Sequence, residues 1–160
     1  MTISVGDRIP NTTLTKVTAD GPDQVQSDDF FAGRRVALFA VPGAFTPTCS
    51  AKHLPGFLEK GDELKAKGID EIAGISVNDA FVMGAWGKAN ETEGKVTLLA
   101  DGSATFAKAV GLDADFSAFG MGTRSKRYAM VVNDGVVESL NIEGPGEFRV
   151  SSAEYMLDTL

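Results

Sequence analysis

The chain holds a single cysteine, Cys49, and a single histidine, His53. Cys49 ends the stretch Val41-Pro42-Gly43-Ala44-Phe45-Thr46-Pro47-Thr48-Cys49. An apolar run stops at Val41, and a helix should begin around Thr46-Pro47-Thr48, because Thr is a good N-cap and Pro suits the first helical turn. The cysteine therefore falls in the first turn of a helix. Backbone N–H groups without partners and the positive end of the helix dipole favour an anion there. Helix N-termini and nearby cations lower a thiol's pKa to roughly 3.5–7.5, and the thiolate is the nucleophile. The competing reading is a small buried hydrophobe. A loop-to-helix position, with Thr three residues earlier and Pro seven earlier, favours the reactive one.

Spacing removes several cysteine chemistries. A CxxC dithiol needs a second Cys at position 52, which is Lys, and a phosphatase loop needs Arg at position 55, which is Pro. A Cys–His hydrolase needs an imidazole brought from elsewhere in the fold. His53 is four residues on, along the same helix, where it either tunes the thiol or simply packs. One Cys and one His do not make an ordinary zinc site. Gly120-Met121-Gly122 lacks the rest of a dinucleotide fingerprint and reads as a loop. What remains is a thiolate attacking a small electrophile that needs no general base, and a hydroperoxide fits. Charge develops on the leaving oxygen as the O–O bond breaks, so donors must reach both oxygens. Thr46 Oγ and the Cys49 N–H are local candidates. Arg124 and Arg127 are the candidate cations, against the reading of Arg124-Ser125-Lys126-Arg127 as a solvated basic turn. On one strand these two arginines have opposite parity; only one would face the site unless 124 lies in the preceding loop.

The elements that must hold this stretch follow from pattern. At 160 residues and 43% hydrophobic, the chain suits one domain, 1–160, with no linker or repeat. Val36–Val41 reads as a strand buried on both faces. Leu54, Phe57, Leu58 and Leu64 continue the helix after Cys49; Pro55 should kink or break it, and Gly68 should end it. Strands follow over Glu71–Val77 and Val96–Ala100, with a helix over Ala80–Ala89 between them. That helix should be capped by Asn78 or Asp79 and turn Phe81, Met83 or Val82, and Trp86 to the core. Ser103–Val110 reads as a short helix closed by Gly111. Arg127–Asn133 and Val136–Ile142 flank Asp134-Gly135, a strong hairpin signal. A last helix begins at Ser151, with Glu154 completing a capping box. The order β-α-β-α-β-(α)-β-β-α predicts an α/β, thioredoxin-like fold: a central mixed sheet flanked by helices. A flavodoxin-like parallel sheet is disfavoured by the late hairpin.

Composition narrows the partners. The formal charge of −7 argues against a nucleic-acid or anionic-membrane binder. No run reaches the roughly 18 apolar residues of a membrane span, and the start MTISVGDRIPN is unlike a signal peptide. A cytoplasmic protein is the expectation.

Pro42-Gly43-Ala44-Phe45-Thr46-Pro47-Thr48-Cys49 resembles the peroxiredoxin motif PxxxTxxC, and PGAFTPTCS followed by His53-Leu54-Pro55-Gly56-Phe57 resembles the peroxiredoxin-5 (type II) subfamily. Ser76–Met83 with Trp86, and Arg124–Val132, are similar to the same subfamily. The resemblance implies a thioredoxin fold and a cysteine peroxidase with no metal, haem or other cofactor. Cys49 would be the peroxidatic cysteine, oxidised to sulfenic acid. Thr46 would bond the peroxide and position the thiolate, Pro42 would close the pocket, and Arg127 would be the active-site arginine, with Arg124 a secondary neighbour. Gly43 and Phe45 complete the expected substrate-binding set. Many members carry a second, resolving Cys; here Gly74 stands near one usual position, and no Cys follows residue 49. An external thiol must then reduce the sulfenate: glutathione with glutaredoxin first, thioredoxin second. The other function class is a peroxide-sensing redox relay using the same Cys49. A homodimer is implied as well, with Phe45, Phe81 and Phe119 beside loops at strand ends as a weak hint of its interface.

Overall fold

The computed structural model describes all of residues 1–160. The elements in order are β1 (Thr13–Thr18), β2 (Gly21–Gln26), α1 (Ser27–Phe31), β3 (Arg35–Val41), a π-helical turn (Cys49–His53), α2 (Leu54–Glu59), α3 (Gly61–Ala66), β4 (Glu71–Ser76), α4 (Ala80–Asn90), β5 (Thr97–Ala100), α5 (Thr105–Ala109), β6 (Asp113–Asp115), a 3₁₀ turn (Ser117–Phe119), β7 (Thr123–Ser125), β8 (Tyr128–Asn133), β9 (Val136–Ile142) and α6 (Ala153–Thr159). Seven strands form one sheet in the order β2-β1-β5-β4-β3-β8-β9, and β6 pairs with β7 separately. β3, β4 and β5 are parallel, while β8 runs antiparallel to β3 and forms a hairpin with β9. Asp134 and Gly135 both have positive φ, 49° and 80°, the demand of a tight two-residue hairpin turn. This is the thioredoxin-like mixed sheet expected.

β3 shows why the sheet needs helices on both sides. Successive strand residues point to opposite faces, and both faces of β3 are apolar. Ala37, Phe39 and Val41 join a cluster with Cys49, Leu54, Phe57, Met83, Trp86 and Met156, contributed by the π turn, α2, α4 and α6. Val36, Leu38 and Ala40 join the opposite cluster with Phe30, Phe31 and Phe106 of α1 and α5. A strand buried on both faces has one position in such a sandwich, and this fixes where its C-terminal end delivers the chain. No helix is long and apolar enough to cross a membrane.

Four readings need correction. The helix does not break at Pro55. It widens into the π turn, where Leu54 N–H bonds the carbonyl of Cys49 five residues back, and then runs on through Pro55 to Glu59. Proline lacks an N–H, and the widened ladder lets the chain pass it without a stop. Phe81 does not join the core face of α4 but is 79% exposed, while Met83 and Trp86 are buried. The terminal helix starts one residue later than Ser151: Ser152 is the N-cap, accepting from Tyr155 N–H, and Ser151 is fully buried for another purpose. The N-terminal hairpin β1-β2 and the small β6-β7 ribbon are additions; short polar strands carry little periodicity.

Candidate active site

The site sits where β3 ends. Gly43 to Thr46 make a tight turn: Thr46 N–H and Thr46 Oγ both donate to the Gly43 carbonyl, at 3.4 and 2.7 Å. Phe45 takes φ +64° in that turn, a conformation unusual for a side chain of its size. Gly43 is needed for close approach: a Cβ there would lie 3.0 Å from Arg124 Nη1 and 3.2 Å from Thr46 Cγ2. Asn78 ties the loop to the next strand end, its Oδ1 accepting from Ala44 N–H at 3.0 Å and from Ser76 Oγ at 2.6 Å. The chain then enters the helix at Pro47, and Ser50 N–H bonds the Thr46 carbonyl. Trp86 Nε1 donates to Ser50 Oγ at 3.0 Å, anchoring this first turn to α4.

Cys49 is a free thiol with no exposed surface. Its sulfur accepts a hydrogen bond from Arg127 Nη2 at 3.0 Å. Arg127 is placed by the sheet: the next residue, Tyr128, pairs with Ala40 of β3, so Arg127 stands at the strand end from which the 42–48 loop departs. Its Nη1 meets His53 Nδ1 at 2.8 Å. His53 Nε2 lies 2.9 Å from the carbonyl of Ser151. A carbonyl only accepts, so Nε2 carries the proton, and Nδ1 presents a lone pair to Arg127. The imidazole is therefore neutral. Burial, and next the charge of Arg127, push its pKa down to about 3, against smaller opposing effects of Ser151 and Glu143. Phe39, Phe57 and Phe148 enclose the ring, with centroids 5.0, 5.7 and 5.1 Å away. The choice between packing and tuning has a double answer: His53 packs, and it also holds the arginine that meets the thiol.

The structure thus brings Arg127 into contact with both Cys49 and His53 and sets Thr46, Gly43 and Pro42 on the adjoining turn. The Thr46 hydroxyl proton is committed to Gly43 rather than to Cys49. The hydroxyl keeps its lone pairs, so it can still accept a hydrogen bond. Arg124 is not on the hairpin strand. It lies on β7, donating from Nε to Met121 O at 2.9 Å and from Nη1 to Pro42 O at 3.3 Å. Because β7 is separate from β8, parity does not send the two arginines to opposite sides; one braces the loop while the other meets the sulfur. Ser50, Trp86, Phe148 and Ser151 were missed by sequence reasoning. The Cys-X-X-X-His spacing was the one visible signal for the helical part; nothing in the local pattern announced the rest. No three His, Cys, Asp or Glu side chains gather to hold a metal ion.

Comparison with known proteins settles the family. The Redoxin family matches residues 4–157. The chain is 52% identical to peroxiredoxin-2E-2, chloroplastic, of Oryza sativa subsp. japonica, over 99% of this chain and 73% of that protein. It is 48% identical to peroxiredoxin-2B of Arabidopsis thaliana, over 99% of this chain and 98% of that one. The chain belongs to the peroxiredoxins, within the Redoxin family. Among solved structures, reduced Prx3 from Vibrio vulnificus in complex with hydrogen peroxide superposes with a TM-score of 0.94, at 53% identity and 98% coverage of both chains. The type II, peroxiredoxin-5 assignment agrees with the peroxiredoxin-2 relatives, and the thioredoxin-like fold is that of these neighbours. Peroxiredoxins are thiol peroxidases: they act on peroxides at the expense of a thiol reductant, and this peroxiredoxin shares that activity.

Proposed function

We propose that the protein reduces hydrogen peroxide and small alkyl hydroperoxides by a one-cysteine cycle at Cys49. The observation that carries this is the guanidinium of Arg127 donating to the sulfur of the only thiol in the chain. The guanidinium is a charged donor aimed at the sulfur from 3.0 Å. The thiolate attacks the terminal oxygen of the hydroperoxide, an S–O bond forms as the O–O bond breaks, and the leaving alkoxide or hydroxide takes a proton to depart as alcohol or water. Arg127, with donors to spare, and the Cys49 N–H in the first helical turn stabilise the charge on the oxygens. Thr46 accepts from the peroxide hydrogen, Pro42 and Gly43 hold the turn close, and Phe45 borders it.

The product is Cys49 sulfenic acid. With no second cysteine, a glutathione or protein thiol attacks the sulfenate, releasing water and leaving a mixed disulfide; a second thiol then frees Cys49 as the reductant disulfide forms. Glutathione with glutaredoxin is the first choice, thioredoxin the second. Cys49 is fully covered, so this step requires the first helical turn to open. Phe45, Phe81 and Phe119, exposed by 55, 79 and 77%, support a homodimer, which sedimentation at micromolar concentration tests.

The cycle is tested by mass spectrometry after peroxide treatment. One added oxygen should appear first, glutathione in the same tube should convert it to a mixed disulfide on Cys49, and excess peroxide without thiol should add two or three oxygens. A Cys49–Cys49 disulfide between copies as the main product would overturn the external-thiol mechanism. The relay reading differs at one point: it requires a stable mixed disulfide with a partner protein in place of turnover with a small thiol.

A further inference from the structure

Glu143 follows β9 directly, outside the residues so far placed in the site. Its main chain touches the site's arginine: Glu143 N–H donates to the Arg127 carbonyl at 3.0 Å. Its side chain gathers the segment before α6. A single oxygen, Oε2, accepts from Arg149 N–H at 2.6 Å, Ser151 N–H at 2.8 Å and Ser151 Oγ at 2.7 Å. Burial disfavours the charge on this carboxylate, but the hydrogen bonds from Ser151 and its neighbours outweigh it, and its pKa lies below the ordinary value. The group is a permanent anchor at neutral pH.

What it anchors faces Cys49 through three linked contacts. Ser151 is fully buried, and its carbonyl fixes the proton on His53 Nε2. That leaves Nδ1 as the acceptor for Arg127 Nη1, and the guanidinium plane, held at this edge, aims Nη2 at the sulfur. Phe148, on the same anchored segment, closes over both groups, 5.1 Å from the imidazole and 5.9 Å from the Arg127 guanidinium carbon. Without the carboxylate, two backbone N–H groups and a hydroxyl lose their acceptor, and the segment that carries the Ser151 carbonyl loses its tether to the sheet.

We propose that Glu143 is a positioning residue for Cys49, acting through Ser151 and His53 on the aim of Arg127. It deepens the peroxidase reading by naming what holds the cation in place. The alternative action of a carboxylate near a thiolate is direct repulsion, and the two differ in sign. Lost positioning makes the thiolate harder to form; lost repulsion makes it easier. The charged and titratable groups linked to Cys49 are Arg127, which directly precedes β8, and His53 from its own turn; Arg124 bonds the Pro42 carbonyl, and Glu143 reaches His53 through Ser151.

The test is the ultraviolet absorbance of the Cys49 thiolate against pH, without peroxide or reductant, so that a protein inert to peroxide is distinguishable from a Glu143 without influence. Glu143→Ala should move the inflection upward by about 1 pH unit. Glu143→Gln, which keeps an acceptor oxygen without the charge, should restore most of it. His53→Phe keeps a ring in the aromatic surroundings but offers neither a donor to Ser151 nor an acceptor to Arg127; in that background Glu143→Ala should move the inflection little further, because the path is already cut. A folded Glu143→Ala with its inflection unmoved or lowered, or a full shift persisting in the His53→Phe background, would overturn the proposal. Should Glu143→Ala not fold, Ser151→Ala removes one of the three donors and should still move the inflection upward; no movement there would overturn it equally.

Discussion

Arg127 meets Cys49 with one arm of its guanidinium, Nη2 to Sγ at 3.0 Å, while the other arm is taken by His53. A planar fork serves two acceptors at once; an ammonium is a point charge that does so poorly. Arg127→Lys should therefore lower the second-order rate with hydrogen peroxide by roughly 10²-fold, the usual loss for a donor aimed at developing charge. Arg124→Lys should cost far less, because Arg124 bonds the carbonyls of Met121 and Pro42 and not the sulfur. Stopped-flow rates for the two variants decide it; equal losses would contradict the geometry.

Cys49→Ser should abolish peroxidase turnover and leave the fold intact. The smaller hydroxyl sits in the same buried place and can accept from Arg127. A cost near 1 kcal/mol corresponds to a shift of about 2–4 °C in Tm for a chain of this size. Circular dichroism melting and a peroxide-consumption assay report the two halves separately.

Acid should weaken the fold through His53. The imidazole is held neutral, with its pKa pushed down to about 3 from an ordinary 6.5. The unfolded chain binds a proton there that the folded chain refuses, so stability is full above pH 6.5 and falls as pH drops toward 3. The slope approaches about 1.4 kcal/mol per pH unit for one proton. Glu143, whose pKa is also lowered, adds a loss of the same sign at more acid pH, below the ordinary carboxylate value. Asp101, whose pKa burial raises against backbone hydrogen bonds, pulls the other way. Comparing the wild type with His53→Gln removes the carboxylate contributions common to both. The variant should show a flatter dependence of Tm on pH between 6.5 and 4.5, and parallel curves would refute the account.

Gly74 is a packing requirement rather than a vacant place for a second thiol. A Cβ there would lie 2.6 Å from Phe39 Cζ, and that ring stacks on Phe57 at 4.4 Å and borders His53 at 5.0 Å. Gly74→Ala should lower stability by about 1–3 kcal/mol, as overpacking does, seen as a Tm several degrees lower. It should also slow Cys49, because the displaced ring pushes on His53. An unchanged Tm would mean that Phe39 has room to move.

The sequence by itself determined the succession of core elements from β3 onward, a mixed sheet with helices on both sides, and where the lone thiol stands, because each rests on local physics. An apolar run of β-formers ending at Pro42-Gly43 is a strand end, Thr46-Pro47 is a helix start, and Asp134-Gly135 is a hairpin turn. A lone Cys two residues beyond the second is placed by them alone. Only the tertiary structure decided what surrounds it. Phe81 faces solvent because the α4 face that meets the sheet was chosen by Met83 and Trp86, which hydrophobicity alone did not rank above it. The helix passes Pro55 because a π turn absorbs the missing donor, a register that periodicity does not encode. The contacts of Glu143, Ser151 and His53 join residues up to 98 positions apart. Such contacts exist only because β8 pairs with β3 and α6 packs on the same face as Cys49, and no pattern within a window of sequence carries that information.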